Sequence, residues 1–324
     1  MSIGDTFEFP REQRDARERM ARLCKLSCGL LLSGAVLLFL TVGNSQSMKT
    51  AWMTDVLTIL PPLSLLVSLR FELRPPTRRF PFGYLRATSV AFLVTAGALT
   101  MMGLFLFLDS GLKLLRGEHP AIGSRVLFGH ELWSGWLMIA ALAYSMTIGI
   151  VLGRLKLPVA ETLHSKALSA DATSNSAEWM SEGAAIIGLT LVGFGLWWGD
   201  ALAALIISFD VIHDGWRSIR FVLADLMDET PSVLEGNESE SLPARLRRAA
   251  EEMDWVQQAA VRLREHGHAV TGEVFVVPRE PDRALAHVAD AGARLQALDW
   301  RLHDLVVVLT PAIEEAEPPR LAAP

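Results

Sequence analysis

The sequence predicts a membrane all-α bundle of six helices followed by a small cytosolic α+β domain. Three observations support this fold class. Apolar residues make up 51% of the 324 residues, and the mean hydropathy is positive. Ionisable residues are nearly absent from several long stretches and frequent at both ends of the chain. Beyond residue 241, helical and strand-like patterns alternate. We therefore expect an integral membrane protein whose apolar segments contact the lipid bilayer.

Six apolar stretches are long enough to cross the hydrocarbon core, for which a helix needs about 20 residues. They are Leu26–Val42, Thr50–Leu69, Ala87–Leu108, Trp133–Leu152, Leu168–Trp198 and Ala201–Leu223. Tryptophans near several span ends fit the preference of amphipathic rings for the membrane interface. The pair Pro61-Pro62 lies inside the second stretch and is expected to kink it, because proline lacks the backbone N–H of a helix interior.

Basic residues orient this bundle. They are concentrated in residues 1–25 and in the loops after the second and fourth spans, and the positive-inside rule assigns these segments to the cytosol. The loop after the fourth span is predicted to contain Arg154, Lys156 and Lys166. We therefore expect a cytosolic N-terminal segment over residues 1–25, a membrane domain over 26–225, and both termini on the cytosolic side of a bacterial inner (plasma) membrane.

Several other classes are disfavoured by the composition. Two cysteines, Cys24 and Cys28, cannot form a disulfide framework. The charged N-terminus does not resemble a removable signal peptide. The sequence has no phosphate loop, nucleophile elbow or paired His-Glu zinc motif, so an enzyme is not expected. The net charge of −6 is spread over both ends, and no nucleic-acid partner is expected.

The C-terminal part of the chain has the pattern of a small soluble domain. Residues 226–241 are polar and contain Pro231 and Gly236, so they are predicted to form a linker. The elements expected within residues 242–313 are a helix at Leu242–Met253, strands at Val256–Leu263 and Gly272–Val277, a helix at Arg283–Leu298 and a strand at Leu305–Leu309. This α-β-β-α-β order predicts a ferredoxin-like fold with both helices on one face of the sheet. Residues 314–324 are expected to be disordered.

Four short segments, taken in order, resemble the signatures of the cation diffusion facilitator family. Arg79-Phe-Pro-Phe-Gly-Tyr-Leu-Arg86 resembles the basic, aromatic signature between the second and third helices. The segment from Ser169 to Glu178 lies where the family has Ala-Asp-Ala followed by histidine and aspartate in the fifth helix. Gly199-Asp200-Ala-Leu resembles the start of the sixth helix, and Leu226–Pro231 resembles its exit. The resemblance covers nearly the whole chain.

The resemblance implies a homodimer that exports a divalent metal cation from the cytosol, usually in exchange for protons. It also implies a tetrahedral site made by two residues of the second helix and two of the fifth. Such a site is chemically reasonable, because residues spaced i, i+4 share one face of a helix. Histidine and carboxylate ligands suit zinc.

The residues at the expected ligand positions are different in this sequence. On the fifth helix, Ser174 replaces the histidine and Glu178 replaces the aspartate. Two registers are open for the second helix. One places Thr54 and Thr58 at the ligand positions, and the other places Asp55 there with an isoleucine. Neither register supplies two strong ligands.

Oxygen-bearing side chains nevertheless form a stripe along the fifth helix, namely Asp171, Asn175, Glu178 and Glu182. The sixth span adds Asp210 and Asp214. An aspartate at the centre of a span costs about 2.5–3.5 kcal/mol on an insertion scale, so these residues indicate an ion or proton path. Glu178 is the predicted central ligand, and the full candidate set is Glu178, Asp171, Asn175, Ser174, Glu182, Asp55, Thr54 and Thr58.

Oxygen ligands favour a hard cation such as Mn²⁺ or Mg²⁺, or protons alone, over Zn²⁺. The choice among Mn, Mg, Fe and Zn stays open, and no resident cofactor is expected. Structural explanations also stay open: solvation at the cytosolic interface for Asp171 and Asp214, and interhelical hydrogen bonds of protonated carboxyls for Glu178 and Glu182. The functional alternative is a transport-inactive scaffold or regulatory partner of the same fold.

Overall fold

The computed structural model describes residues 9–72, 74, 77–80, 83–119, 122–127, 130–231 and 241–313. The chain divides into two compact units, one ending at Met227 and the other beginning at Asp228. The predicted tail 314–324, linker residues 232–240, and Pro81 and Phe82 of the aromatic signature lie outside the described residues. The proposed domain boundaries remain predictions.

The first unit is mostly helical. Its elements are α1 (Arg11–Thr41), α2 (Gln46–Thr58), α3 (Leu60–Glu72), α4 (Ala87–Arg116), β1 (Ser124–Leu127), β2 (His130–Trp133), α5 (Ser134–Leu163), α6 (Lys166–Gly193) and α7 (Trp198–Leu226). Strands β1 and β2 pair as an antiparallel hairpin before α5. Four stretches are long and apolar enough to cross a membrane: Arg11–Thr41, Gln46–Glu72, Ala87–Arg116 and Ser134–Leu163. These helices support an integral membrane protein.

Helices α6 and α7 have 28 and 29 residues, so both are long enough to cross a bilayer. They are not among the four apolar spans of the described residues. The reason is their polar content, which includes the carboxylates of Glu178 and Glu182 on α6 and of Asp210 and Asp214 on α7. The total of six spans therefore remains a prediction.

The second span is interrupted where the proline pair predicted a kink. Helix α2 ends at Thr58 and α3 begins at Leu60, so Pro61 and Pro62 fall in the first turn of α3. A proline is tolerated in a first turn because the N–H it lacks would have no helical partner there. The regular bonding resumes when the Leu63 N–H donates to the Ile59 carbonyl at 3.2 Å.

The predicted loop after the fourth span was wrong for two of its residues. Helix α5 continues through Pro158 to Leu163, so Arg154 and Lys156 belong to the helix instead of a cytosolic loop. The Lys156 side chain is completely buried. Lys156 was assigned to a loop because it is charged, although a charged residue can stay inside a bundle when an opposite charge meets it there.

Helix α5 packs closely against α6, and α4 packs along α7. Two glycines of α5 permit the first contact. A Cβ at Gly153 would lie 2.7 Å from the Ala172 carbonyl oxygen, and one at Gly149 would lie 2.9 Å from the Asn175 carbonyl oxygen. Small residues allow helix backbones to approach in this way. The contact fixes the rotation of α6 and therefore the direction of its polar stripe.

The second unit is a three-stranded sheet with two helices. Its elements are α8 (Leu242–Glu251), β3 (Val256–His266), β4 (Ala269–Pro278), α9 (Pro281–Gln296) and β5 (Leu302–Leu309). The strand order is β3-β4-β5, with an antiparallel first pair and a parallel second pair. Leu246 of α8 and Leu295 of α9 share one core with Val274 and Leu305. Both helices therefore cover the same face, and the element order agrees with the prediction. The ferredoxin-like classification remains a prediction.

Candidate functional site

A small cavity lies inside the first unit between the second span and helices α4, α6 and α7. Its polar lining residues are Thr54, Thr58, Ser174, Glu178, Ser181, Asp210 and Asp214. Its volume is about 50 Å³, measured for the centres of water-sized spheres. One water needs ~10–15 Å³ on this measure, so a few waters or a partly hydrated cation fit. Every polar group on the wall offers oxygen.

The lining of this cavity distinguishes the two registers that the sequence left open for the second helix. Thr54 and Thr58 line it together with Ser174 and Glu178, whereas Asp55 bonds elsewhere. The Thr54 hydroxyl donates to the Thr50 carbonyl at 3.0 Å, and the Thr58 hydroxyl donates to the Thr54 carbonyl at 2.8 Å. Each hydroxyl oxygen keeps its lone pairs as acceptors. The structure thus brings the threonine register and the two α6 positions to one space, while their role as ligands remains a prediction.

Glu178 has unused hydrogen-bonding capacity beside this cavity. Its Oε1 atom is buried and has no hydrogen-bond partner. A buried carboxylate oxygen that has no protein partner is available to accept from a water or to bind a cation. Among the predicted ligands, Glu178 is the carboxylate that the structure places at the cavity.

Asp55 and Glu182 form a second polar group on another face of α2. Both side chains are 3% exposed. The Ser145 hydroxyl of α5 donates to Asp55 Oδ2, and the carboxyl groups of Asp55 and Glu182 are close enough to interact. Glu182 Oε2 has no partner. This acid pair lies outside the lining of the cavity.

Asp171 and Asn175 belong to a third group. Asp171 is 2% exposed, so solvation at the cytosolic interface does not describe it. Its Oδ2 atom accepts from the Lys156 ammonium at 2.7 Å, and Asn175 Nδ2 lies 3.5 Å from its Oδ1. The positive charge of Lys156 therefore balances Asp171 directly. A role of Asp171 or Asn175 as a cation ligand remains a prediction.

Sequence reasoning missed Lys156 because it was assigned to a loop. A signal was nevertheless available. Gly149, Gly153 and Lys156 recur at i, i+4 and i+7, which places the lysine on the glycine-marked face of α5. That face is the one packed against α6. A lysine on it must meet a carboxylate, and Asp171 is the one it meets.

Asp200 connects the start of α7 to the start of α2. It accepts hydrogen bonds from the Ser45 hydroxyl at 2.6 Å, the Gln46 N–H at 2.5 Å and the Ser47 N–H at 3.1 Å. These N–H groups lie at a helix N-terminus, where a carboxylate is favourable. The Gly-Asp pair noted in the sequence is therefore a helix cap supplied by a neighbouring helix.

The aromatic signature reaches the opposite end of α7. Its last residue, Arg86, donates to the Leu226 carbonyl at 3.1 Å. One turn further, the Ser89 hydroxyl donates to Asp225 Oδ2 at 2.5 Å. A cation at a helix C-terminus satisfies carbonyls that have no partner within the helix. Arg86 of the signature therefore connects the C-terminal end of α7 to the start of α4.

In the parts of the chain that the structure describes, no three His, Cys, Asp or Glu side chains form a group that could hold a metal ion. Cys24 and Cys28 are free. A cation in the cavity would therefore have to combine carboxylate with hydroxyl oxygens and water.

The second unit contains a buried ion pair of its own. Arg301 donates through its Nη2 atom to Asp299 Oδ2 at 2.8 Å and through its backbone N–H to Oδ1 at 2.9 Å. Burial acts to raise the pKa of Asp299, but these hydrogen bonds and the positive charge outweigh it, so the pKa lies below its ordinary value. The pair lies in the turn that precedes β5.

An apolar helical unit with oxygen groups around an interior cavity is the arrangement of a membrane transport protein. Residues 25–227 match the family model described as the cation efflux transmembrane domain. The chain belongs to this family, the cation diffusion facilitators, and the resemblance seen in the sequence is confirmed. Members of the family are transporters, which confirms the prediction that the protein is not an enzyme.

Three relatives illustrate the similarity. The manganese efflux system protein MneS of Bacillus subtilis is 21% identical over 194 residues, which are 60% of this chain and 63% of that protein. The magnetosome protein MamB of Magnetospirillum gryphiswaldense is 26% identical over 168 residues, 51% of each chain. The zinc transporter ZitB of Escherichia coli is 24% identical over 258 residues, 79% of this chain and 74% of that protein. The chain thus spans less than two thirds of the first two relatives.

Proposed function

We propose that this protein is a secondary transporter that exports a divalent metal cation from the cytosol. Its family and the names of its relatives support cation efflux. The observation that carries the proposal is the cavity, which Glu178 lines together with four hydroxyl-bearing residues of α2 and α6, while the Oε1 atom of Glu178 has no hydrogen-bond partner. Glu178 is the central ligand, with Thr54, Thr58 and Ser174 beside it.

The chemistry of this lining favours a hard cation. Carboxylate, hydroxyl and water oxygens suit Mn²⁺ and Mg²⁺, whereas Zn²⁺ in proteins takes mostly nitrogen and sulfur ligands. Mn²⁺ is the leading substrate because a manganese efflux protein is among the relatives. Mg²⁺, Fe²⁺ and Zn²⁺ are the competing ions. The acid pair Asp55–Glu182 and the group of Asp171 with Asn175 lie outside the lining. They hold together the helices that form the cavity.

The remaining architecture follows from this function. Helices α6 and α7 complete a six-span bundle, since Glu178 of α6 and Asp210 and Asp214 of α7 line the cavity. Both termini are cytosolic, in a bacterial inner membrane, and the protein works as a homodimer with a ferredoxin-like C-terminal domain. Export is coupled to proton entry. Alternating access comes from rocking of helices about the cavity.

Transport in reconstituted vesicles tests the proposal. Full-length protein would be placed in liposomes with an acidic lumen and a metal-sensitive dye, and Mn²⁺, Mg²⁺, Fe²⁺ and Zn²⁺ would be added outside in turn. We expect Mn²⁺ uptake that Glu178→Gln abolishes. Glu161→Gln, at the exposed end of α5, is the matched control and should transport normally. A wild type that moves none of these ions under any pH gradient would overturn the proposal and leave the scaffold alternative.

A further inference from the structure

The side chain of Glu178 lies directly against a glycine of the neighbouring helix α5. A Cβ atom placed on Gly149 would overlap Oε2 of Glu178 and would lie 3.3 Å from the Glu178 Cβ atom. Gly149 is in the middle of α5, where glycine is less favourable than alanine by about 1 kcal/mol. The close approach of Glu178 explains why a glycine is needed there, because the end of the glutamate occupies the space of a side chain at position 149.

The Glu178 carboxylate is located between this glycine and the cavity. Glu178 lines the cavity together with Thr58, and the Thr58 side chain is close enough to interact with it. Oε2 lies beside Gly149, whereas Oε1 has no hydrogen-bond partner. A glutamate is one methylene longer than an aspartate, and the free space at position 149 accommodates this length. The position of the carboxylate relative to the cavity therefore depends on the missing side chain of α5.

Gly153, one turn further along α5, provides a comparison. The three atoms nearest to a Cβ placed there belong to Ser176 and Ala172, and neither residue lines the cavity. Both glycines bring α5 close to the backbone of α6. Of the two, Gly149 is the one that also borders the proposed central ligand. The two positions thus distinguish the packing of α5 against α6 from an effect on the Glu178 carboxylate.

We infer that Gly149 is a positioning residue of the cation site, because it makes room on α5 for the Glu178 carboxylate and so sets where that carboxylate meets the cation. The inference rests on the proposed function and adds a residue that acts through Glu178 without contacting the cation. A methyl group at position 149 would force the carboxylate toward Thr58, since close-packed side chains move instead of overlapping. The cavity has a volume of only about 50 Å³, so this displacement would take space from the cation.

Binding of Mn²⁺ to the purified full-length protein, measured by titration calorimetry in detergent, tests this inference. We expect Gly149→Ala to weaken binding about 10-fold, within the range that overpacking costs. Gly153→Ala is the matched control, which disturbs the same helix contact at a distance from Glu178 and should stay within about twofold of the wild type. Glu178→Asp weakens binding by itself, but adding Gly149→Ala to it should cost no more than about a further twofold, because the overlap with the carboxylate is gone.

The outcomes separate this inference from the proposed function. A wild type that binds and transports Mn²⁺, with equal affinities of Gly149→Ala and Gly153→Ala, would overturn the role of Gly149 and leave the transporter intact. A wild type that neither binds nor transports any of the four ions would overturn both. If Gly149→Ala yields no folded protein, thermal unfolding of the double variant Gly149→Ala/Glu178→Asp decides. A midpoint near that of Gly153→Ala supports the contact, and a double variant that also fails to fold contradicts it.

Discussion

The ammonium of Lys156 and the carboxylate of Asp171 form an ion pair between α5 and α6, with 2.7 Å from Nζ to Oδ2. The side chains are 0% and 1% exposed. Such a pair gains little over apolar residues of the same size, but removing one partner leaves an uncompensated buried charge. The stability of the protein with either residue in place therefore depends on the presence of the other residue.

We predict that Lys156→Met or Asp171→Leu alone destabilises the protein by about 3–5 kcal/mol. The double variant Lys156→Met/Asp171→Leu should recover most of this loss, because both charges are gone. The measurement is the midpoint of thermal unfolding of the purified protein in detergent. Losses that simply add in the double variant would show that the two side chains act independently.

The glycine contact between α5 and α6 gives a second prediction. Gly153→Ala places a methyl group against the Ala172 carbonyl, so α5 and α6 must separate, at a cost of about 1–3 kcal/mol. Gly183→Ala on α6 is the control, because nothing lies within 4 Å of its added Cβ, and alanine there should be neutral or stabilising. Thermal unfolding in detergent compares the two, and equal melting temperatures would contradict the close contact.

The cap that Asp200 provides for α2 gives a third prediction. Asp200→Ala removes the acceptor of three or more hydrogen bonds at the start of α2. We expect a loss of about 1–2 kcal/mol from the cap and faster hydrogen exchange at residues 46–50. Exchange measured by mass spectrometry reports this locally. Asp225→Ala, which changes a carboxylate at the other end of α7, should leave exchange at residues 46–50 unchanged.

The ion pair of the second unit predicts a pH dependence. The pKa of Asp299 is lowered from 3.8 in the folded state, so its stabilising effect is present above the unfolded value and is lost as the pH falls through the folded value. After correction for the intrinsic effect of pH on exchange, the protection of β5 against hydrogen exchange in the full-length protein should therefore fall as the pH drops below about 4.

Asp299→Asn should show fast exchange of β5 already at neutral pH and a smaller further change on acidification. Asp290→Asn is the control, because its pair with Arg294 is on the surface, with side chains 65% and 69% exposed. Surface pairs contribute little to stability. A wild-type β5 whose protection is independent of pH would contradict the assignment.

The apolar spans could be predicted from the sequence because hydropathy reports contact with lipid. The helices Arg11–Thr41 and Ser134–Leu163 extend well beyond the predicted spans, since the bilayer limits only the apolar part of a helix. The hairpin β1–β2 was not predicted. In the second unit the element order was predicted because periodicity changes clearly between its helices and strands.

The residues of the candidate site could be collected from the sequence, but their grouping could not. One stripe on α6 separates into three neighbourhoods, because Glu178 meets the cavity, Glu182 meets Asp55, and Asp171 meets Lys156. The rotation of α2 and α5 decides these partners. Helical spacing gives the face of a residue, whereas the identity of the opposite helix depends on packing across the whole bundle.

The cavity lies between two closely packed helix pairs, α5 with α6 and α4 with α7. Glu178 lies on the α6 side of the cavity and Asp210 on the α7 side. Under the proposed function, a cation bound in the cavity contacts side chains of both helix pairs, so its binding and its release change how strongly the two pairs are held together.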